Sequence, residues 1–144
     1  MCTLNRRTTF TDATIVTSVH DELLGKATQW DIEIIAYCYM PDHLHYLTYG
    51  VTPIANALTC STRFRQRSGL VFKQDRRQRL WQDGYFDRIL RDEESTFDVV
   101  RYIVNNPVRA GLCRTAADYP FAGSSRYRIE DLVESVQWRP DAFG

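Results

Sequence analysis

Apolar residues recur three or four apart between Asp12 and Gln29, at Ile15, Val16, Val19, Leu23 and Ala27. This spacing predicts an amphipathic helix over 12–29, capped by Thr11 or Asp12. The period then changes, because Ile32-Glu33-Ile34-Ile35-Ala36-Tyr37-Cys38-Tyr39 is β-branched and aromatic, which predicts a strand. Met40-Pro41-Asp42 follows as a tight turn, with Pro41 pre-set for the turn position, and 43–49 returns as an antiparallel strand. Pro53 lies near the first turn of a second helix that runs to about Arg67, and Ser68-Gly69 opens a loop. Leu80 to Leu90 reads as another strand, made irregular by Gly84. Ser95, with Asp98 three residues on, makes a start resembling a capping box for a third helix, from 96 to about 105. Asn105-Asn106-Pro107 stops it, since a residue before proline is pushed out of the helical region. The fold class expected from this order is α+β.

On the third helix, Phe97, Val100 and Val104 share one apolar stripe, and Tyr102 lies roughly 160° from its centre at about 100° per residue. Tyr102 is therefore not an obvious core residue. Asn106, four residues later, shares its face if the helix persists that far.

Composition narrows the class without deciding it. The 144 residues are 44% hydrophobic and 25% charged, as expected for one globular domain spanning 1–144. No apolar run approaches the ~18 residues of a membrane span. The start, Met1-Cys2-Thr3-Leu4-Asn5-Arg6-Arg7, lacks the hydrophobic region of a signal peptide. A cytoplasmic protein without a membrane partner is the expectation. The four cysteines, Cys2, Cys38, Cys60 and Cys113, form no C-x-x-C pair, so we read them as reduced thiols, two or three of them filling the core.

The formal net charge is zero, yet Arg63, Arg65, Arg67, Lys73, Arg76, Arg77 and Arg79 face a single acid, Asp75, within 63–79. A basic stripe in a neutral protein suggests contact with a polyanion, whereas a solvated helix face and its loop would have the same composition.

Candidate chemistry centres on Met40-Pro41-Asp42-His43-Leu44-His45, which holds two of the three histidines. Side chains at i and i+2 of a strand leave the same face, so both imidazoles point to one side while Leu44 packs on the other. That arrangement suits a pair of metal ligands, and it equally suits a polar outer strand face. Asp42 is a candidate support for a histidine, although aspartate in such a turn more often bonds its own backbone. Tyr85 is expected to pack or stack, His20 to be exposed, and Arg109 to meet either a phosphate or solvent.

Three blocks in order carry a family resemblance. They are Ala36-Tyr37-Cys38-Tyr39-Met40-Pro41-Asp42-His43-Leu44-His45, then Trp81 to Arg91 (W-Q-D-G-Y-F-D-R-I-L-R), then Arg101-Tyr102-Ile103-Val104-Asn105-Asn106-Pro107-Val108-Arg109-Ala110-Gly111-Leu112. Together they resemble the IS200-like, REP-associated tyrosine transposases, members of the HUH single-strand nucleases. The resemblance implies a ferredoxin-like antiparallel sheet with helices packed on one face. It implies that His43 and His45 hold Mg²⁺ or Mn²⁺, with Asn106 as third ligand, or Asn105 in its place if the helix frays. It also implies that Tyr102 is the nucleophile, leaving a 5′-phosphotyrosine and a free 3′-OH on single-stranded or hairpin DNA such as REP-like palindromes. On this reading the basic residues 63–79 track the DNA backbone.

One departure concerns the start. Family members begin with a strand leading into the region seen here as Arg6-Arg7-Thr8-Thr9-Phe10, and only Met1 to Leu4 stand in its place. The implied first strand is shortened or missing, through a start assigned too far downstream or a shortened copy, and an exposed edge would lie beside the histidines. The expected function is a metal-dependent, tyrosine-nucleophile DNA endonuclease and strand transferase. The alternatives are a non-catalytic DNA-binding remnant and a metal-dependent hydrolase of small phosphoesters. Monomer and homodimer are both compatible with the sequence.

Overall fold

A computed structural model of the chain describes residues 1–85, 87, 90 and 93–137. Its helices are α1 (Ala13–Gln29), α2 (Ala57–Arg76), α3 (Glu93–Arg109) and α4 (Ile129–Gln137), and its strands are β1 (Ile32–Met40), β2 (His43–Gly50) and β3 (Ala122–Gly123). The sheet is antiparallel in the order β2-β1-β3. Asp12 caps α1 as expected, its carboxylate accepting from the amides of Thr14 and Ile15. The α+β class and the antiparallel sheet agree with the sequence reading.

The helices, however, do not all lie on one face of the sheet. In β1, Ile34 pairs with Thr48 and Ala36 with Leu47, so Ile35 is an extra residue in the ladder. A bulge of this kind breaks the two-residue alternation. Ile32, Ile34 and Tyr39 belong to a core built with α1 and α2, whereas Ala36, Cys38 and Met40 belong to a second core built with α3 and α4. The sheet is thus covered on both sides.

The hairpin turn is Pro41-Asp42, closed by pairing of Met40 with His43. The N-terminal segment braces it from outside, since Thr3 N donates to Asp42 O at 3.0 Å and Phe10 N donates to Pro41 O at 3.0 Å. Met1 to Leu4 form no regular strand, but the edge beside the histidines is not bare. Cys2 bridges His43, Thr3 bridges Trp81, and Leu44 N donates to Met1 O at 2.8 Å.

The expected boundaries of the second and third helices move. The second helix begins after Pro53, with Asn56 as its cap, and runs to Arg76, so Ser68 and Gly69 lie inside it. The physical reason is Trp81, whose indole N–H donates to Ser68 Oγ at 3.0 Å while Ser68 Oγ donates to Phe64 O at 2.7 Å. A side chain at Gly69 would meet Trp81 Cδ1 at 3.5 Å, so two small residues make the seat for one large ring. Arg77, with φ 58°, ends the helix.

The strand expected over Leu80–Leu90 is absent from the described part of that span, where Trp81 makes only the isolated bridge to Thr3. Phe86, Arg88, Ile89 and Arg91 lie outside the described residues. The third helix starts at Glu93, two residues before Ser95, and passes through Pro107 to Arg109. Pro107 is fully buried, and burial of its ring offsets the one amide bond it cannot make. The end comes instead at Gly111, φ 74°, where Gly111 N donates to Val108 O at 3.0 Å and Leu112 N to Pro107 O at 2.9 Å. This is the Schellman pattern that a left-handed glycine permits.

Beyond the expected elements, β3 and α4 close the second core. Tyr119 Oη donates to Tyr39 O at 2.6 Å, and Arg101 donates from Nε and Nη2 to Val136 O at 3.0 and 2.6 Å.

Ser68→Ala should cost about 1–3 kcal/mol, because it orphans the buried indole N–H of Trp81. Urea unfolding measures it; a loss under about 0.5 kcal/mol would mean that the indole finds another acceptor.

Candidate functional site

The β1–β2 register decides where the histidines point. His43 pairs with Met40 and His45 with Cys38, and both partners belong to the core shared with α3. The imidazoles therefore face α3, while Leu44 is buried in the α1 core. Their ring centroids are 4.7 Å apart at 89°.

Each imidazole is prepared differently. His43 Nδ1 lies 2.7 Å from Asp42 Oδ1, so Nδ1–H donates to the carboxylate and Nε2 is the ring nitrogen left toward Asn106. Asp42 is further held by Arg6, whose Nε donates to Oδ2 at 2.9 Å. Partial burial opposes ionisation of Asp42, but His43 and Arg6 together hold its carboxyl below the usual range. The turn aspartate thus serves its neighbour's ring, not the local backbone bond that is commoner in such turns. His45 is kept neutral by burial, then by His43, with its pKa lowered to about 4.

Helix α3 brings a polar stripe to these rings. Tyr102, Asn106 and Arg109 fall within roughly 60° of one another around the helix. The Tyr102 ring stands 5.8 Å from that of His45 at 88°. Asn106 Nδ2 lies 3.4 Å from His43 Nε2, and a half-turn of the amide would present Oδ1 there instead, since the two ends have the same shape. Asn105 is turned away, its Nδ2 donating to Arg101 O at 3.1 Å. Tyr102 is 55% exposed, and Phe97, expected in the core, is 40% exposed; Ile103 fills the apolar stripe with Val100 and Val104.

Two imidazole nitrogens and an amide oxygen on one patch fit a divalent cation such as Mn²⁺ or Mg²⁺, which accept this mixed donor set. Among the described residues, no group of three His, Cys, Asp or Glu side chains is placed to hold a metal. The amide is what makes the patch a candidate.

The basic residues are less uniform than their spacing suggested. Arg65 turns inward, its Nη2 donating to Gln82 O and its guanidinium 5.6 Å from the Tyr85 ring centroid. Arg67 lies 3.6 Å from Glu22, Arg76 lies 3.8 Å from Asp12, and Arg79 pairs with Asp83. Arg63 reaches Gln66, at 3.5 Å, and Lys73 and Arg77 are exposed. Arg63 and Arg65 sit roughly 160° apart on the helix, so residues 63–79 do not make one stripe. Tyr85 lies beside the Arg65 guanidinium, its hydroxyl 3.5 Å from Thr62 Oγ1. His20 is not simply exposed: its Nδ1 is 3.1 Å from Tyr39 Oη and its ring is 4.2 Å from that of Tyr37.

Sequence reasoning undervalued Arg6, Asp42 and Arg109. Asp42 carried a local signal in its place directly before His43, and Arg109 one in its seven-residue spacing from Tyr102. Arg6 reaches the site through a tertiary contact to Asp42, and Arg109 reaches Tyr102 along α3 itself.

An α+β protein that sets paired imidazoles, an amide and a tyrosine against one side of an antiparallel hairpin is a narrow class. The sequence model of the family described as "Transposase IS200 like" matches residues 1–106, and the chain belongs to this family. A curated relative from Haemophilus influenzae (strain ATCC 51907 / DSM 11121 / KW20 / Rd), named "Putative REP-associated tyrosine transposase", is 27% identical over 125 residues, covering 78% of this chain and 70% of the relative. The fold is shared with a solved structure described as "Structure of the REP associates tyrosine transposase bound to a REP hairpin", at a TM-score of 0.76 and 18% identity, over 97% of this chain and 82% of that one. No helix among the described residues is long and apolar enough to cross a membrane.

The inward turn of Arg65 predicts that Arg65→Ala lowers stability by about 1 kcal/mol, through its hydrogen bond to Gln82, whereas Arg63→Ala stays within about 0.5 kcal/mol of the parent. Parallel urea titrations of both variants decide this, and equal midpoints would put Arg65 back among the free surface cations.

Proposed function

We propose that this chain nicks and rejoins single-stranded or hairpin DNA through a covalent intermediate on Tyr102. The observation that carries the reading is the approach of Tyr102 to His45, with ring centroids 5.8 Å apart, on the same patch as His43 and Asn106. An exposed tyrosine with no role in the core, beside the His45 imidazole, supports this reading.

In the proposed step the Tyr102 phenol oxygen attacks phosphorus and the bond from phosphorus to the 3′ oxygen breaks. The phenol proton is lost and the 3′ oxygen gains one, leaving 5′-phosphotyrosine and a free 3′-OH. One phosphodiester replaces another, so the reverse attack by a 3′-OH rejoins the strand without an external energy source. His43, His45 and Asn106 would hold Mg²⁺ or Mn²⁺, the two imidazoles favouring Mn²⁺. Such a cation supplies Lewis-acid withdrawal of charge from the scissile phosphate. Asp42 fixes the tautomer of His43, and Arg6 fixes Asp42.

DNA affinity is assigned mainly to Arg63, Lys73 and Arg77, which form no ion pair among the described residues, with Arg67, Arg76 and Arg79 able to exchange exposed ion pairs for phosphates. A hairpin with palindromic arms is the first DNA to test, because the transposase that shares this fold is bound to a REP hairpin.

Tyr102→Phe removes one oxygen and almost no volume, so fold and DNA affinity should survive while cleavage and covalent linkage vanish together. The assay incubates protein with a 5′-extended hairpin oligonucleotide and Mn²⁺, denatures, and maps the DNA-linked peptide. An adduct on Tyr85 or Tyr127, or cleavage persisting in the variant, overturns the assignment. Binding without any adduct in the parent would favour a non-catalytic remnant, and turnover of small phosphoesters without an adduct would favour a hydrolase.

His45→Ala should abolish Mn²⁺-dependent nicking and leave most DNA affinity intact, because the basic residues lie elsewhere. Asp42→Ala should weaken Mn²⁺ binding by roughly 10–100-fold by freeing the His43 tautomer. Both are read by Mn²⁺ titration followed by electron paramagnetic resonance. Undiminished Mn²⁺ binding in His45→Ala would remove the metal role from the pair.

A further inference from the structure

The Arg109 guanidinium lies 4.1 Å from the Tyr102 ring centroid, and its Nη2 donates to Tyr102 O at 2.6 Å. Seven residues separate the two, close to two full turns, so Arg109 shares the helix face of Tyr102 and its side chain runs back toward the helix N-terminus. One planar group therefore holds the tyrosine at two points, over the face of the ring and at its own carbonyl. The His45 ring stands 5.8 Å from the phenol ring, perpendicular to it at 88°.

An exposed tyrosine on a helix ordinarily samples more than one rotamer. Tyr102 is 55% exposed, so core packing does not fix it. We propose that Arg109 is a positioning residue for Tyr102, clamping the ring in the orientation that faces the histidines before DNA arrives. This inference rests on the reading of Tyr102 as the nucleophile. Arg109 forms no ion pair among the described residues, and its guanidinium is occupied by Tyr102, which separates it from the cations assigned to DNA affinity.

The clamp and a direct phosphate contact predict different failures. If Arg109 orients Tyr102, Arg109→Met should lower the cleavage rate at saturating hairpin DNA roughly 10–100-fold, since small misplacements of a reacting group have effects of this size. The hairpin Kd and its salt dependence should hardly move. If Arg109 binds phosphate, affinity falls, the salt slope drops by about 0.7, and the saturated rate is retained. Arg109 is exposed in the last turn of α3, so the variant should fold, which thermal unfolding by circular dichroism checks.

A second readout does not depend on catalysis. In DNA-free protein with labelled tyrosine and histidine, nuclear Overhauser contacts between the Tyr102 and His45 rings should be present in the parent and lost in Arg109→Met. Contacts retained in Arg109→Met overturn the clamp, as does loss of affinity with an unchanged saturated rate. If Tyr102→Phe still cleaves, the nucleophile reading fails, and the ring contacts still decide whether the clamp exists.

Discussion

Side-chain alternation along the β1–β2 hairpin is the constraint on which the site depends. A strand offers each residue one of two faces, and the pairings His43–Met40 and His45–Cys38 put both imidazoles toward α3. A slip of one residue would bury them against α1 and send Leu44 to the site. The two-residue turn at Pro41-Asp42 leaves little room for such a slip. Hydrogen bonds from Thr3 and Phe10 to its carbonyls hold it from outside. The bulge at Ile35 then lets the same strand serve two cores, by shifting the alternation between its two halves. The N-terminal segment is part of the site's support.

The opposite wall is a helix that a simple reading of proline would have ended too soon. Because Pro107 is buried and α3 continues to Arg109, the polar stripe of Tyr102, Asn106 and Arg109 stays in helical register. That continuity brings the Asn106 amide to His43 and lets Arg109 reach back over Tyr102. The stop belongs to Gly111, whose left-handed conformation allows the last carbonyls to be satisfied.

Charge shows the same division between composition and placement. The cations of 63–79 form a dense run in sequence, but the helix winds them around its axis and the fold gives several of them partners. Arg65 becomes part of the packing around Gln82 and Tyr85, and Arg67 and Arg76 join α2 to α1. Arg6, far from that run, is drawn to Asp42 at the histidines. The local density of cations suggests a polyanion, while the number of them free to meet it depends on tertiary contacts.

By itself the sequence determined the elements whose signals are local. The apolar period of α1, its Asp12 cap, the β-branched run of β1, the Pro-Asp turn and the shared face of His43 and His45 all follow from spacing and backbone preference within a few residues. The off-core position of Tyr102 was legible for the same reason. Tertiary structure alone decided the rest. Ser68 and Gly69 lie inside α2 because Trp81 needs a small, hydrogen-bonding seat, and Pro107 lies inside α3 because its ring is buried. Helices cover both faces because one bulged residue changes the strand's alternation. Arg6 joins the site, and Arg65 turns toward Gln82, through contacts between segments distant in sequence. Such contacts arise only once the cores have packed, so no local pattern records them.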